Sequence, residues 1–379
     1  MPALTTLADS SLLPVTIERG EGPRLFDTEG RGYWDFYGGH AVALLGQGHP
    51  RWVDALREQA ETLSFVSTLA PVPVRDQAIE ALCRFTRMNR AFLVNSGAEA
   101  NEAALKVARK ATGRNRIVAM EHGFHGRTMA CLGVTEAGSY RSHHSPVHGE
   151  SLFVPYGDVT ALEAAVDEDT AAVLIEPIQG IAGVIEPPEG FLAAARQACD
   201  RAGAVLILDE IQTGIGRTGR AMAWHREPDC RPDLVTVGKS LGAGFPVAGL
   251  LLTEAMAATT RPGEHGSTFG GGPLAAAVVL AVLSIVEDEQ LLERAQALGA
   301  RARQAQIDGV ETVRGQGCLL GLVLDRPARP VMTSLVDRGF LTGTAADPNC
   351  LRLCPPATMP MDALDALLEA LGQTLSEEP

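Results

Sequence analysis

Three places in this chain combine a reactive side chain with a local sequence that would tune it. Lys239 follows the apolar run Leu234–Val237 and precedes Ser240-Leu241-Gly242-Ala243-Gly244, so desolvation can depress its pKa and free a nucleophilic amine. A single lysine is ordinarily a solvated surface charge, but the chain has few lysines and this one sits in a glycine-rich turn beside an apolar strand. Asp209 closes the apolar stretch Ala204–Leu208; an unpaired carboxylate there is costly, and a cationic partner removes that cost. Asn95-Ser96-Gly97-Ala98 lies between a strand ending at Val94 and a helix beginning near Glu99. Unpaired N–H groups at a helix start, a hydroxyl and small residues suit a phosphate monoester, with an ordinary N-cap at Ser96 as the plainer alternative.

Together these are the needs of pyridoxal phosphate (PLP) chemistry. A lysine forms a Schiff base and moves a proton, an acid keeps the pyridine nitrogen protonated, and a phosphate cup and an aromatic face hold the ring. Two other glycine signals compete and fail. Gly214-Ile215-Gly216-Arg217-Thr218-Gly219 matches the dinucleotide fingerprint, but Asp209–Thr213 intervenes between strand and glycines, and Pro228 soon follows, whereas the fingerprint sits on the strand end and opens a long helix. Gly238-Lys239-Ser240 ends like a P-loop, yet the first glycine of that motif would be Asp233, whose charge repels phosphates.

The elements that must position these residues alternate. Ala91–Val94, Arg116–Met120, Ala172–Ile175, Ala204–Leu208 and Leu234–Val237 are apolar or β-branched runs, as strands covered on both faces are. Helical stretches such as Glu99–Lys110 and Phe191–Ala202 lie between them, the second closed by Gly203 as a C-cap. This order predicts an α/β fold with a mostly parallel sheet, its ligands at the strand ends where the glycines cluster. Residues 50–283 form the expected large domain. Residues 1–49 and 284–379 form the two parts of a small α+β domain.

Of 379 residues, 46% are hydrophobic, and 46 acidic against 32 basic residues give a net charge of -14. With no basic run, nucleic acid and anionic membrane are poor partners. Seven cysteines without a C-x-x-C pair read as reduced thiols in a cytoplasm. No signal-peptide pattern or membrane-length apolar run is visible. His143, His144 and His148 lie in a Ser/Pro/Gly loop without acidic ligands, so no metal site is expected.

From about Leu25 to Pro356 the chain resembles the class III aminotransferases of PLP fold type I, and among them the acetylornithine aminotransferases. The resemblance runs through Asn95-Ser96-Gly97-Ala98-Glu99-Ala100-Asn101-Glu102, Phe124-His125-Gly126-Arg127-Thr128, Glu176-Pro177-Ile178-Gln179-Gly180, Asp209-Glu210-Ile211-Gln212-Thr213-Gly214, Gly238-Lys239 and His265-Gly266-Ser267-Thr268-Phe269-Gly270-Gly271. It implies that Lys239 is the Schiff-base lysine, that Asp209 pairs with the pyridine nitrogen, and that Gln212 lies near the phenolic oxygen. Ser96, Gly97 and Ala98 would hold the phosphate, and Phe124 would stack on the ring unless it is plain core packing. Thr268 would reach the phosphate of a neighbouring subunit, which implies a homodimer with shared active sites. Arg127 would bind the carboxylate of acetylornithine and Arg352 the α-carboxylate of glutamate or 2-oxoglutarate, as guanidinium forks do.

Two positions depart from the family. Ile181 stands where a glutamate commonly pairs with the second arginine, and Gly272 stands where asparagine usually precedes the proline. The reading is a ping-pong transfer of the terminal amine of N-acetylornithine, or a similar acylated diamino acid, to 2-oxoglutarate. The alternatives are another class III transaminase acting on ornithine, an α-amino acid or a carrier-bound lysine, then an NAD-dependent dehydrogenase, then an inactive relative used as a binding protein.

Overall fold

The apolar runs lie side by side. The computed structural model, which describes residues 13, 15–136, 140 and 151–377, contains a seven-stranded sheet in the spatial order Arg90–Val94, Ala248–Leu252, Leu234–Val237, Val205–Asp209, Thr170–Ile175, Arg116–Met120, Ser151–Val154. Ala248–Leu252 is antiparallel to both its neighbours and every other pairing is parallel. Thr170–Ile175 and Val205–Asp209 are buried at every position, as a sheet covered on both faces requires. Ala248–Leu252 and Ser151–Val154 have no counterpart in the sequence reading. The first begins Ala-Gly, which carries little strand signal, and the second is a short edge strand.

Helices cover this sheet. Gly97–Thr112 begins with a capping box, in which the Ser96 side chain accepts from the Glu99 N–H and the Glu99 side chain accepts from the Ser96 N–H. Phe191–Ala202 stops at Gly203 with φ 64°, the left-handed C-cap expected. The apolar helix Pro273–Asp288 packs on Pro50–Thr62 and Pro73–Thr86. No helix among the described residues is long and apolar enough to cross a membrane.

Two smaller sheets use the ends of the chain. Ile17–Glu21, Arg24–Asp27 and Gly32–Asp35 are joined by Phe340–Leu341, which pairs in parallel with Trp34 and Asp35. Val310–Gln316, Leu319–Leu324, Cys350–Leu353 and Gly343–Thr344 form an antiparallel sheet. In the large sheet, six of the seven strands run the same way. Their carboxyl ends therefore share one edge, where residues 95–98, 121–127, 176–181, 209–212 and 238–239 emerge together, the usual place for a ligand in such a sheet.

Candidate active site

Lys239 is presented by a change of backbone direction. Strand Leu234–Val237 ends, Gly238 remains extended, and Lys239 opens a short 3-10 turn through Leu241 at φ 42°. That left-handed angle is uncommon for a residue with a β-carbon and is retained where a side chain must be aimed. No long helix follows, and residues 211–222 form turns, so neither glycine motif has the helix that nucleotide binding needs. Burial above all lowers the pKa of Lys239; the Arg352 guanidinium acts in the same direction, and Asp209 and Glu176 oppose it. Its ammonium has no hydrogen-bond or ion-pair partner among the described residues.

The acid is held from the side. Asp209 is 4% exposed, and its Oδ2 accepts from His125 Nδ1 and from Asn101 Nδ2, both at 2.8 Å. Asn101 in turn accepts from the Thr236 hydroxyl at 2.8 Å. Burial pushes the Asp209 pKa up, but the hydrogen bond and charge of His125, with hydrogen bonds from Asn101 and the Ile211 N–H, together leave the carboxyl below its ordinary value. His125 is pulled down by burial and further up by Asp209, for a net rise. The costly bare carboxylate expected from the sequence is thus already anchored by a buried histidine. Beside this pair, Glu176 accepts from the Phe124 N–H at 2.9 Å, and burial raises its pKa to about 7.

These groups converge on one cavity of about 210 Å³, lined among others by Gly97, Ala98, Phe124, Asp209, Gln212 and Lys239. A hollow of about 510 Å³ runs along helix Gly97–Thr112 past Phe92, Arg109 and His265, but the buried titratable residues meet in the smaller one. The predicted residues Ser96, Arg127, Thr268 and Arg352 do not line it. Ser96 is exposed and spent on the capping box, which leaves the helix-start N–H groups of Gly97 and Ala98 toward the cavity. Arg127 is exposed, its guanidinium 4.6 Å from the Tyr140 ring centroid, and Phe124 meets the edge of the same ring at 5.2 Å. Thr268 is exposed on a loop beside the exposed Phe269.

The residues present fit PLP. Both amide atoms of Gln212 are buried without a partner, which is costly unless an occupant pairs with them. A β-carbon at Gly180 would lie 1.5 Å from the Gln212 Oε1, so glycine there is what gives the amide its room. A partnerless amine, an anchored acid, an unsatisfied amide and a helix start are the donor and acceptor set of a phosphorylated pyridine aldehyde.

The rim is assembled from distant segments. Arg352, 3% exposed, donates from Nη1 to the Gly180 carbonyl at 3.2 Å and from Nη2 to His40 Nδ1 at 3.4 Å, while its Nε is buried without a partner. Glu186, a candidate acid for it, instead pairs with Arg226 at 3.1 Å and accepts from Gly315 N and Gln316 Nε2. Arg217, fully buried, donates to the carbonyls of Ala41, Cys318, Cys354 and Pro355. The glycine motif that imitates a nucleotide loop thus carries the cation that ties the 41 and 354 segments together. Partial burial and then the charges of Arg352, Lys239 and Arg127 pull His40 down to about 4.

Sequence reasoning left His125, Asn101, Glu176, Arg217 and His40 without roles. The first three stand inside the quoted blocks, and a rule that buried polar residues must pair with a reactive acid would have found His125 and Asn101; Glu176 pairs instead with the Phe124 N–H. His40 follows two glycines but carries no other signal. His143, His144 and His148 lie outside the described residues.

Residues 6–375 match the family model described as aminotransferase class-III. The acetylornithine aminotransferase of Mycolicibacterium smegmatis is 44% identical over 368 residues, covering 96% of this chain and 94% of that protein. Among solved structures, the acetylornithine aminotransferase of Elizabethkingia anophelis superposes with a TM-score of 0.86 at 34% identity, over 97% of this chain and 95% of that one. The ornithine aminotransferase of Toxoplasma gondii, with PLP in partial occupancy at its active site, gives a TM-score of 0.91 at 32% identity, over 98% and 93%.

Proposed function

Because the chain belongs to the class III aminotransferases, we propose that it moves the terminal amino group of N-acetylornithine, or of a similar acylated diamino acid, to 2-oxoglutarate. It is a PLP-dependent transaminase of fold type I. The observation that carries the assignment is the convergence of the partnerless Lys239 amine, the anchored Asp209 and the unpaired Gln212 amide on one cavity. When bound, the cofactor supplies a carbonyl that takes up the amino group and an electron sink for the bond that breaks next to it.

The protein's own part is binding and proton handling. Lys239 would anchor the cofactor, and its Nζ, with a lowered pKa, would move a proton at the reacting carbon. Asp209, kept anionic by His125 and Asn101, would hold a proton on the ring nitrogen. Gln212 would donate to the phenolic oxygen, Phe124 would pack on the ring, and Ser96, Gly97 and Ala98 would hold the phosphate, Ser96 from outside the cavity of the single chain. Arg352 takes the α-carboxylate of the dicarboxylate, and Arg127 takes its far carboxylate or that of the acylated donor.

The partner subunit completes the site through Thr268 in a homodimer. Its support is an exposed apolar group beside Thr268: Phe269 is 67% exposed, Leu69 93%, and the rings of Phe65 and Phe269 lie 5.6 Å apart, an arrangement that marks an interaction surface. Residues 50–283 form the cofactor domain and 1–49 with 284–379 the second, a division supported by the pairing of Phe340–Leu341 with Trp34 and Asp35. A cytoplasmic location fits the seven free cysteines. A second reading, a donor with a carboxylate beside the reacting amine, is favoured by the apolar Ile181, which follows the Gly180 whose carbonyl accepts from Arg352. An amino-donor panel with 2-oxoglutarate tests both: preferred turnover of N-acetylornithine supports the first, and preferred turnover of α-amino donors replaces it with the second.

A further inference from the structure

We propose that His40 is a specificity-determining residue whose neutral imidazole accepts a hydrogen bond from Arg352 and holds it without cancelling its charge, so that the guanidinium can pair with carboxylates in both half-reactions. The inference rests on the reading of Arg352 as the α-carboxylate site.

The turn that carries His40 is built at a cost. Gly38, Gly39, His40 and Ala41 all have positive φ, at 57°, 56°, 60° and 69°, and L-residues with a β-carbon avoid consecutive left-handed positions. The fold holds the turn from several sides. Asp35 Oδ1 accepts from the Gly38 N–H at 2.8 Å, and the Ala41 carbonyl accepts from Arg217 Nη2 at 3.1 Å and from the Ser240 hydroxyl at 3.3 Å. A β-carbon at Gly38 would lie 2.2 Å from the Cys354 carbonyl, so the turn is pressed against the strand end that bears Arg352. Strain maintained in this way belongs to a site, and here it aims one side chain at the substrate-reading arginine.

The direction of the contact follows from chemistry. A guanidinium has five N–H groups and no lone pair, so at 3.4 Å from Arg352 Nη2 the His40 Nδ1 must accept, and its ring proton sits on Nε2, which faces the Tyr37 hydroxyl. Gly180 O holds Nη1. Two of the five N–H groups are thereby used, and three remain for an acceptor: the second on each of Nη1 and Nη2 and the one on Nε, which has no partner. Ile181 follows Gly180, lines the cavity and cannot ionise. The nearby acids Glu186 and Asp347 are committed to Arg226 and Arg314. A glutamate on Arg352 would cancel its charge while a terminal amine reacts; His40 satisfies one donor and cancels nothing. Donors bearing a carboxylate beside the reacting amine therefore keep a full-strength site, and donors without one leave Nε unpaired.

The test uses glutarate, an unreactive dicarboxylate, bound to the PLP-loaded enzyme in a calorimeter, alongside single-turnover half-reactions with glutamate and N-acetylornithine. His40→Ala should weaken glutarate binding about ten-fold and raise the glutamate concentration for half-saturation in parallel, with little change in the saturated rate. His40→Asn, whose side-chain oxygen takes the place of Nδ1, should restore both. His40→Glu should weaken glutarate and raise the ratio of N-acetylornithine to glutamate turnover, and it carries the test alone if His40→Ala does not fold. Wild-type affinity in a folded His40→Ala, or an unchanged donor ratio in His40→Glu, overturns the proposal while leaving the aminotransferase reading intact. A wild-type enzyme that neither binds glutarate nor reacts with glutamate overturns the dicarboxylate reading and this proposal with it.

Discussion

The floor proposed to hold the cofactor and the rim proposed to read the substrate are built in different ways. The floor comes from the carboxyl ends of strands that run the same way in one sheet, so Lys239, Asp209 and the 95–98 loop are each placed by a local strand-to-loop transition on a rigid sheet. The rim is made from the 38–41 turn, Gly180 and Arg352, segments far apart in sequence: Arg217 gathers the carbonyls of Ala41 and Cys354, and Arg352 itself donates to Gly180. The strands of such a floor stand without the rim, and its loops touch the rim at Ser240, which donates to the Ala41 carbonyl, and at Gln212, which packs beside Gly180. The rim has no sheet of its own beneath all three parts and relies on one buried cation and a strained turn.

Substitutions can break or sharpen that contrast. Lys239→Ala should abolish transamination, a loss on the order of 10⁴-fold, while glutarate still binds at the rim by calorimetry; loss of glutarate binding too would mean that floor and rim are not separable. Asp209→Asn should slow the proton-transfer step by roughly 10²- to 10³-fold in a single turnover with PLP still bound, because a neutral amide neither holds a proton on the ring nitrogen nor pairs with His125. Unchanged rates would make Asp209 purely structural. Arg352→Ala should act on the other side of the divide, costing roughly 2 to 5 kcal/mol in the glutamate half-reaction and leaving cofactor affinity alone.

The smallest effect is on stability against pH. Burial raises Glu176 to about 7 from an ordinary 4.5, so between those values the folded chain keeps a proton that the unfolded chain has lost. The stability from this group is complete below about 4.5 and fades as pH rises through about 7. Glu210, also raised to about 7 by burial, has the same sign. Glu176→Gln should therefore flatten the fall in melting temperature between pH 5 and 8 only in part. An unchanged slope would show that Glu176 is already ionised in the folded chain.

The same contrast explains what the sequence could reveal. Strand periodicity and the lysine in its glycine turn are local patterns that stand in the fold where the runs of residues suggest, whereas at 95–98 Gly97 and Ala98 line the cavity and Ser96 is taken by the helix cap. Asp209 was legible as an acid on an apolar strand, but its pairing with His125 was not, because the two are brought together by the order of strands in the sheet. The Gly214–Gly219 motif looked like a phosphate loop and proves to carry Arg217, whose partners lie in segments around residues 41, 318 and 354. His40 was invisible, since its importance comes from a backbone angle and a contact across 312 positions. Glycines ahead of it admit a left-handed turn but do not announce one.

One direct measurement shows whether Lys239 is the amine that holds the cofactor. The chain has three lysines, and Lys106 and Lys110 lie on an outer helix where both engage Glu264. Borohydride reduction of the PLP-loaded protein, followed by digestion and peptide mass mapping, should place the pyridoxyl mass on the peptide containing Lys239. A label on Lys106 or Lys110, or no label on a protein that retains PLP, would contradict it.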